Sequence, residues 1–177
     1  IQLSFGNRLQ LVMIPIILVS FAVISSITIF YIQKLNEDKN HDQLERLAIS
    51  LQTEFEHKLS AENDLSMVNV DYLNSLLVKF AKVFDTDINI YHINGQLLAT
   101  TRQEIFDYSL LSNQLNPHAF NYLRKEHQSL YIAKENIGGL VYSSAYVPFH
   151  NKNGESIAFL NLPYFAHVVV LQTEISS

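Results

Sequence analysis

LVYSSAYVPF, residues 140–149, and IAFLNLPY, residues 157–164, are the two runs that decide the fold of this chain. Both are rich in Val, Ile, Tyr and Phe, which favour β-strands, and the turn-forming segment NKNG at 151–154 separates them. Pro148 and Pro163 cannot donate to a strand ladder, so each marks the edge or the end of its strand. The two runs therefore predict a pair of antiparallel strands.

Three further strand-like runs lie upstream of this pair. Residues 130–134 form the nearest run, and the turn NIGG follows it at 136–139. Residues 88–92 alternate between apolar and polar side chains, INGQ at 93–96 supplies a turn, and an extended run resumes at 97–101. The chain is therefore expected to form a five-stranded antiparallel sheet.

Two long helical patterns precede the strands. The first has a stripe of apolar residues at steps of three and four: Leu44, Leu47, Leu51, Phe55 and Leu59. This stripe packs either against its own domain or against the same helix of a dimer partner. The second begins at a cap, Asn69 or Asp71, and has its own apolar face: Tyr72, Leu73, Leu76, Leu77, Phe80 and Ala81. Residues 102–126 predict irregular chain with a short helix that starts at Pro117. The fold class is α+β.

Residues 11–32, LVMIPIILVSFAVISSITIFYI, contain no charged side chain and predict a transmembrane helix. As a helix, this segment is long enough to cross the hydrocarbon core, which is about 30 Å thick. It is longer than the apolar region of a signal peptide, and no small-residue cleavage site follows it. Arg8 on one side and Lys34 and Lys39 on the other do not settle the orientation by charge. The helical pattern continues beyond residue 33, so one helix is expected to leave the bilayer and enter the next domain.

Composition and motifs exclude several classes of function. The net charge is −5, and the 12 Lys and Arg residues form no cluster, so no nucleic-acid partner is expected. The chain has no cysteine, and its seven histidines lack the spacing that places two imidazoles on one metal. Nucleophile-elbow, phosphate-loop and zinc-protease motifs are absent from the sequence. We therefore predict no catalytic residue, metal or cofactor in this segment.

Three motifs carry a resemblance to a known family: the Asn94-Gly95 hairpin, YSSAYVPF at 142–149 and AFLNLPYFA at 158–166. With them, the chain resembles the periplasmic PAS-like or Cache-like sensor region of bacterial two-component histidine kinases. The resemblance implies a homodimeric receptor with a second transmembrane span and a cytoplasmic kinase. Such a kinase uses ATP and Mg²⁺ and acts on a cognate response regulator, so any enzymatic activity would belong to that part of the parent chain.

The resemblance implies an organisation in four parts. Residues 1–33 are the transmembrane helix with a short cytoplasmic flank, 34–68 the juxtamembrane signalling helix and linker, 69–165 the PAS-like sensor domain, and 166–177 a C-terminal helix that leads toward a second span. The segment is expected to sit in the lipid bilayer of the bacterial inner membrane, with residues after 33 in the periplasm. Its expected role is signal sensing. The alternatives are the input domain of a chemoreceptor or cyclase, a membrane-anchored structural or adhesion protein, and an anchored hydrolase.

A ligand site is expected, by the same resemblance, between the sheet and residues 102–126. Tyr142 and Tyr146 share a strand face because their separation is even, and Arg102 could clamp a carboxylate or a phosphate. For the aromatic residues the alternative is plain core packing, and for Arg102 it is simple exposure. The candidate residues for a small-molecule ligand are Tyr91, Arg102, Phe106, Tyr142, Tyr146 and Asn161.

Overall fold

The computed structural model describes residues 5–59, 61–62 and 64–164 of the chain. These residues belong to two compact units, residues 1–40 and residues 41–177. Helix α1 (Phe5–Leu59) supplies residues to both units. The C-terminal helix predicted for 166–177 lies outside the described residues.

The first unit consists of the apolar part of α1. Within the described residues, α1 is the one helix that is long and apolar enough to cross a membrane. Its side chains from Met13 to Ile32 are exposed, so they have no protein partner in this unit. The hydroxyls of Ser20, Ser26 and Thr28 each donate to the carbonyl four residues earlier at 2.8 Å. Because lipid cannot satisfy these groups, such internal bonds suit a helix in hydrocarbon.

The second unit is an α+β domain, as the sequence predicts. A 3-10 turn at Leu65–Met67 precedes the remaining elements: α2 (Val70–Phe84), β1 (Asn89–His92), β2 (Leu97–Thr100), α3 (Gln103–Asp107), α4 (Pro117–Arg124), β3 (Tyr131–Ile137), β4 (Leu140–His150) and β5 (Ser156–Tyr164). The five strands form one sheet in the order β2-β1-β5-β4-β3, and every neighbouring pair is antiparallel. The predicted five-stranded antiparallel sheet with flanking helices is confirmed.

Asparagine side chains cap the N-termini of α2 and α4. Asn69 caps α2, since its Oδ1 accepts from the backbone N–H groups of Asp71 at 2.8 Å and Tyr72 at 3.2 Å. Asn116 caps α4 in the same manner, and Pro117 occupies the first turn, where its missing N–H is not needed. These caps satisfy donors that a helix start leaves open, so they fix where α2 and α4 begin.

One face of the sheet packs against α2 and the second half of α1. The apolar stripe of α1 is buried in this core, with Leu44, Leu51 and Phe55 fully buried, and the ring of Phe55 lies 4.7 Å from that of Phe80 in α2, measured between centroids. From the sheet, alternate residues such as Val147 complete the core. The stripe of α1 therefore serves the packing of its own domain.

The opposite face of the sheet packs against α4. Tyr91, Tyr146 and Phe159 project from β1, β4 and β5 into a second, smaller apolar cluster. Ala119 and Leu123 of α4 cover it. Because neighbouring residues on a strand point to opposite faces, each central strand contacts both clusters. The two faces differ in chemistry, since the buried polar side chains of the central strands, Asn89, Ser144 and Asn161, lie on the side of the smaller cluster.

Candidate ligand-binding site

Glu135 is the centre of a polar cluster on the α4 face of the sheet. The register of β3 against β4 places Glu135 directly opposite Tyr142. The Tyr142 hydroxyl donates to Glu135 Oε2 at 3.0 Å, and Asn116 Nδ2 donates to Glu135 Oε1 at 3.0 Å. The Tyr146 hydroxyl donates to the same Oε1. We call these four residues the Glu135 cluster.

The electrostatics keep the phenols of this cluster, and that of the neighbouring Tyr91, protonated. Burial raises the pKa of Tyr91, Tyr142 and Tyr146 well above the ordinary tyrosine value, and the negative charge of Glu135 raises each further. Protonated phenols are hydrogen-bond donors as well as acceptors. The cluster therefore presents one carboxylate among polar but uncharged groups, against aromatic walls.

A second polar network continues the site across the sheet, centred on Asn161 of β5. Asn161 Nδ2 donates to Ser144 Oγ at 2.6 Å and to the Ala145 carbonyl at 3.1 Å. Asn89 Nδ2 donates to Asn161 Oδ1 at 2.8 Å, and Thr100 donates to Asn89 Oδ1 at 2.6 Å. Asn89, Ser144 and Asn161 are buried, and within the described residues no buried side-chain polar atom lacks a partner. This network is fully satisfied, so it fixes the amide orientations beside the Glu135 cluster.

The structure brings four of the six predicted site residues to one face of the sheet. Tyr91, Tyr142, Tyr146 and Asn161 all point to the α4 face, and each is at most 5% exposed. Phe106 is also buried, in α3, and it belongs to neither of the two apolar clusters. That these residues bind a ligand stays a prediction.

Arg102 does not join this group. Its Nε donates to both carboxylate oxygens of Asp87, at 2.9 Å and 3.0 Å, and Nη1 lies 3.7 Å from Glu104. The side chain is 53% exposed and lines an open cavity of about 370 Å³ with Lys82 and Val78 of α2. The hydrogen bond that Arg102 donates to the Asp87 carboxylate, together with the negative charge of Asp87, raises the pKa of Arg102. Arg102 thus forms an ion pair at the end of β2, and its predicted contact with a ligand anion stays a prediction.

Five polar residues of the site were missed by the sequence analysis: Asn89, Thr100, Asn116, Glu135 and Ser144. Glu135 was missed because the predicted strand stopped at residue 134, whereas β3 continues to Ile137. With the turn at Gly138 and Gly139, hairpin geometry alone pairs Ile137 with Leu140, and it then places Glu135 opposite Tyr142. Gly138 and Gly139 were the sequence signal that could have revealed this pairing, because glycine readily adopts the positive φ that both residues have in the turn.

An exposed group of potential metal ligands lies on α1, formed by His41, Asp42 and Glu45. Exposed acidic groups of this kind are common without a metal, and solvation is their ordinary role. We assign it no function.

No protein-family model matches the chain, and no curated protein matches it. Solved structures do. The sensor domain of E. coli DcuS has a TM-score of 0.47 and 8% identity, over 76% of this chain and 98% of that one. The sensor domain of the V. cholerae histidine kinase DctB has a TM-score of 0.44 and 19% identity, over 71% of this chain and 54% of that one.

The structural neighbours are sensor domains. A third is the sensory domain of the Campylobacter jejuni chemoreceptor Tlp3 with isoleucine bound, with a TM-score of 0.46 and 8% identity, over 73% of this chain and 52% of that one. The chain thus spans about half the length of the DctB and Tlp3 domains. All three TM-scores are below 0.5, so the fold is assigned from the strand order and register of the chain itself, and the site from its own residues.

Proposed function

We propose that this chain is the signal-sensing segment of a bacterial membrane receptor, anchored in the inner membrane with residues after 33 in the periplasm. In this proposal a small molecule binds on the α4 face of the sheet, at the Glu135 cluster and the Asn161 network. The observation that carries the proposal is helix α1. One unbroken helix contains both the apolar membrane segment and the stripe buried against the sheet.

The central strands offer a physical route from the site to α1. Tyr146 of β4 faces the site, and the flanking Ala145 and Val147 face the core that contains α1. A ligand that shifts Tyr146 therefore shifts the packing against α1 as well. A few kcal/mol of differential binding between two arrangements is enough to bias such an element.

Polar contacts at the end of β4 fix the same helix to the sheet. Gln52 Nε2 of α1 donates to the Pro148 carbonyl at 2.8 Å. Glu56 Oε1 of α1 accepts from the His150 backbone at 3.1 Å and lies 2.8 Å from His150 Nδ1. The strand that carries two tyrosines of the site is thus hydrogen-bonded to α1, so a ligand-dependent movement of β4 would act directly on the helix.

The output that we propose is a cytoplasmic histidine kinase, which would use ATP and Mg²⁺ and pass a phosphoryl group to a response regulator. Homodimerisation and a second transmembrane span are part of this proposal. The second candidate output is a chemoreceptor, and both output types occur among the structural neighbours. The reading frame after Ser177 distinguishes them: a second apolar span followed by a His-containing kinase core supports the kinase, and a methyl-accepting signalling domain supports the chemoreceptor.

Ligand binding is tested by measuring the melting temperature of the full chain in lipid nanodiscs in the presence of each compound of a broad small-molecule library. A ligand at about 100 times its Kd stabilises the folded state by about 2.7 kcal/mol, which raises the melting temperature measurably. Tyr142→Phe should abolish the shift for a compound bound at the Glu135 cluster. Val141→Ala is the matched control, because Val141 is the neighbour of Tyr142 and is 57% exposed. If no compound stabilises the wild type, direct ligand sensing is wrong.

A further inference from the structure

Four residues form a polar contact between α1 and the end of β4. Glu56 Oε1 lies 2.8 Å from His150 Nδ1 and also accepts from the His150 backbone N–H at 3.1 Å. Gln52 Nε2 donates to the Pro148 carbonyl at 2.8 Å and lies 3.4 Å from the same Glu56 oxygen. We call Gln52, Glu56, Pro148 and His150 the α1–β4 latch. Because its two halves lie more than 90 positions apart in the sequence, the latch joins elements that the chain itself does not connect.

The geometry of the latch fixes which nitrogen of His150 carries the hydrogen. An ionised carboxylate only accepts hydrogen bonds, so Nδ1, at 2.8 Å from Glu56, is the N–H of the neutral ring. The lone pair is then on Nε2, which has no hydrogen-bond partner among the described residues. The His150 side chain is 34% exposed, so water reaches the ring. A proton is therefore taken up at Nε2, and the bond to Glu56 stays in place.

Protonation of His150 would strengthen this bond. The neutral ring already donates to a charged acceptor, and protonation charges the donor as well, which adds the attraction between two opposite charges. Water screens part of this gain, because the Glu56 side chain is also about one-third exposed, at 32%. A histidine without a partner titrates near pH 6.5. The added strength is therefore present in mild acid and is lost as the pH rises through neutrality.

Glu56 is the charged partner of the His150 ring. Among the residues that the structure describes, it is the one carboxylate with an oxygen within 4.0 Å of a nitrogen of this ring. On β5, the residue opposite His150 is the neutral Ser156. The next carboxylate along the chain, Glu155, accepts from Asn151 Nδ2 at 2.9 Å. The charge on His150 thus acts mainly on Glu56.

We infer that the latch responds to the proton: protonation of His150 at Nε2 strengthens its bond to Glu56, so β4 is fixed to α1 more firmly in mild acid than in alkaline water. β4 is also the strand that carries Tyr142 and Tyr146 of the candidate site. The meaning of the latch for signalling rests on the proposed sensing function. Within that function, the pH outside the cell would set how strongly a movement of β4 acts on α1.

A double-mutant cycle in the full chain, in nanodiscs, tests the latch by urea unfolding at about pH 5.5 and about pH 8. Glu56→Gln keeps the shape of the side chain and removes its charge. His150→Asn keeps a neutral N–H donor near the position of Nδ1 and removes the titration. The coupling of the two substitutions, as a factor in the unfolding equilibrium constant, should be about twofold to fivefold larger in acid.

The matched control combines Glu56→Gln with His57→Gln. His57 is the next residue on α1, and both it and the following Lys58 are exposed. The coupling of this control pair should be the same at the two pH values. A pH-dependent coupling of equal size in the control pair would show that the latch is not its source and would overturn the inference.

The outcomes separate the inference from the proposed function. If the coupling of Glu56 and His150 is equal at both pH values, or larger in alkali, the inference is wrong and ligand sensing stands. If no compound in the ligand screen binds, ligand sensing is wrong and the response of the latch to the proton stands. Should a variant fail to fold, nitrogen-15 NMR of the wild-type histidines is the second measurement. His150 Nδ1 should carry its hydrogen at both pH values and Nε2 only in acid, and a bare Nδ1 in alkali would be the contrary result.

Discussion

Alkaline pH should unfold the sheet domain steeply, because three buried tyrosines can ionise fully only after unfolding. The pKa values of Tyr91, Tyr142 and Tyr146 are raised in the folded chain by burial and by Glu135. Their folded values lie above the unfolded value of about 10, so the stability they support is complete below about pH 10 and is lost as the pH rises above it.

The magnitude follows from proton linkage. Each tyrosine that keeps its proton when folded and loses it when unfolded reduces the free energy of unfolding by about 1.4 kcal/mol per pH unit. Three such residues give a slope of roughly 4 kcal/mol per pH unit above about pH 10. A domain with an ordinary stability of about 5–15 kcal/mol would therefore unfold within a few pH units. Tyr146→Phe should reduce the slope by about a third.

Urea denaturation at a series of pH values, followed by far-ultraviolet circular dichroism, measures this slope. Val141→Ala is the control and should keep the wild-type slope, since it removes no ionisable group. Tyrosinate absorbance, taken as wild type minus Tyr146→Phe, reports the ionisation of Tyr146 itself. The reasoning would be refuted if that absorbance appeared near pH 10 while the circular dichroism remained native.

Three further predictions concern the core, the polar network and the loop after α1. Phe55→Ala should lower the free energy of unfolding by about 3–5 kcal/mol, because Phe55 is fully buried. Ile49 is exposed, so Ile49→Ala should change the free energy of unfolding by less than about 0.5 kcal/mol. Equal losses for the two variants in urea denaturation would contradict this prediction. Asn161→Ala removes a side chain with three hydrogen-bond partners and should cost about 1–3 kcal/mol for each buried group left unpaired, and wild-type stability in the same assay would be the contrary result. The hydrogen bond from the backbone N–H of Ser66 lowers the pKa of Asp64 in the folded chain. The Asp64 carboxylate therefore stabilises the fold at pH values above its unfolded pKa, near 3.9, and this effect is lost as the pH falls through the lowered folded pKa. The difference in unfolding free energy between wild type and Asp64→Asn should shrink in acid, and a difference that does not depend on pH would count against this reasoning.

The fold could be predicted largely because local composition and global packing agree in this chain. The stripe that contains Leu51 gave the face of α1 that is buried, and the strand runs gave all five strands. Strand composition does not show where a strand ends. The predicted third strand stopped at residue 134, one residue before Glu135. For Arg102, the sequence shows the charge but not its partner, and a residue 15 positions earlier, Asp87, holds it. Partner choice across elements depends on tertiary geometry, which no local pattern contains.

The central claim, that the domain after the membrane helix lies outside the cytoplasm, can be tested with single cysteines. Residues 1–177 contain no cysteine, so each introduced thiol is the one labelling site within this segment. Met67 is 83% exposed and lies in the second unit, and Asn7 precedes the apolar segment. With a membrane-impermeant maleimide, Met67→Cys should be labelled in intact cells and Asn7→Cys only after permeabilisation. Labelling of Asn7→Cys in intact cells, with Met67→Cys protected, would place the sheet domain in the cytoplasm and contradict the account.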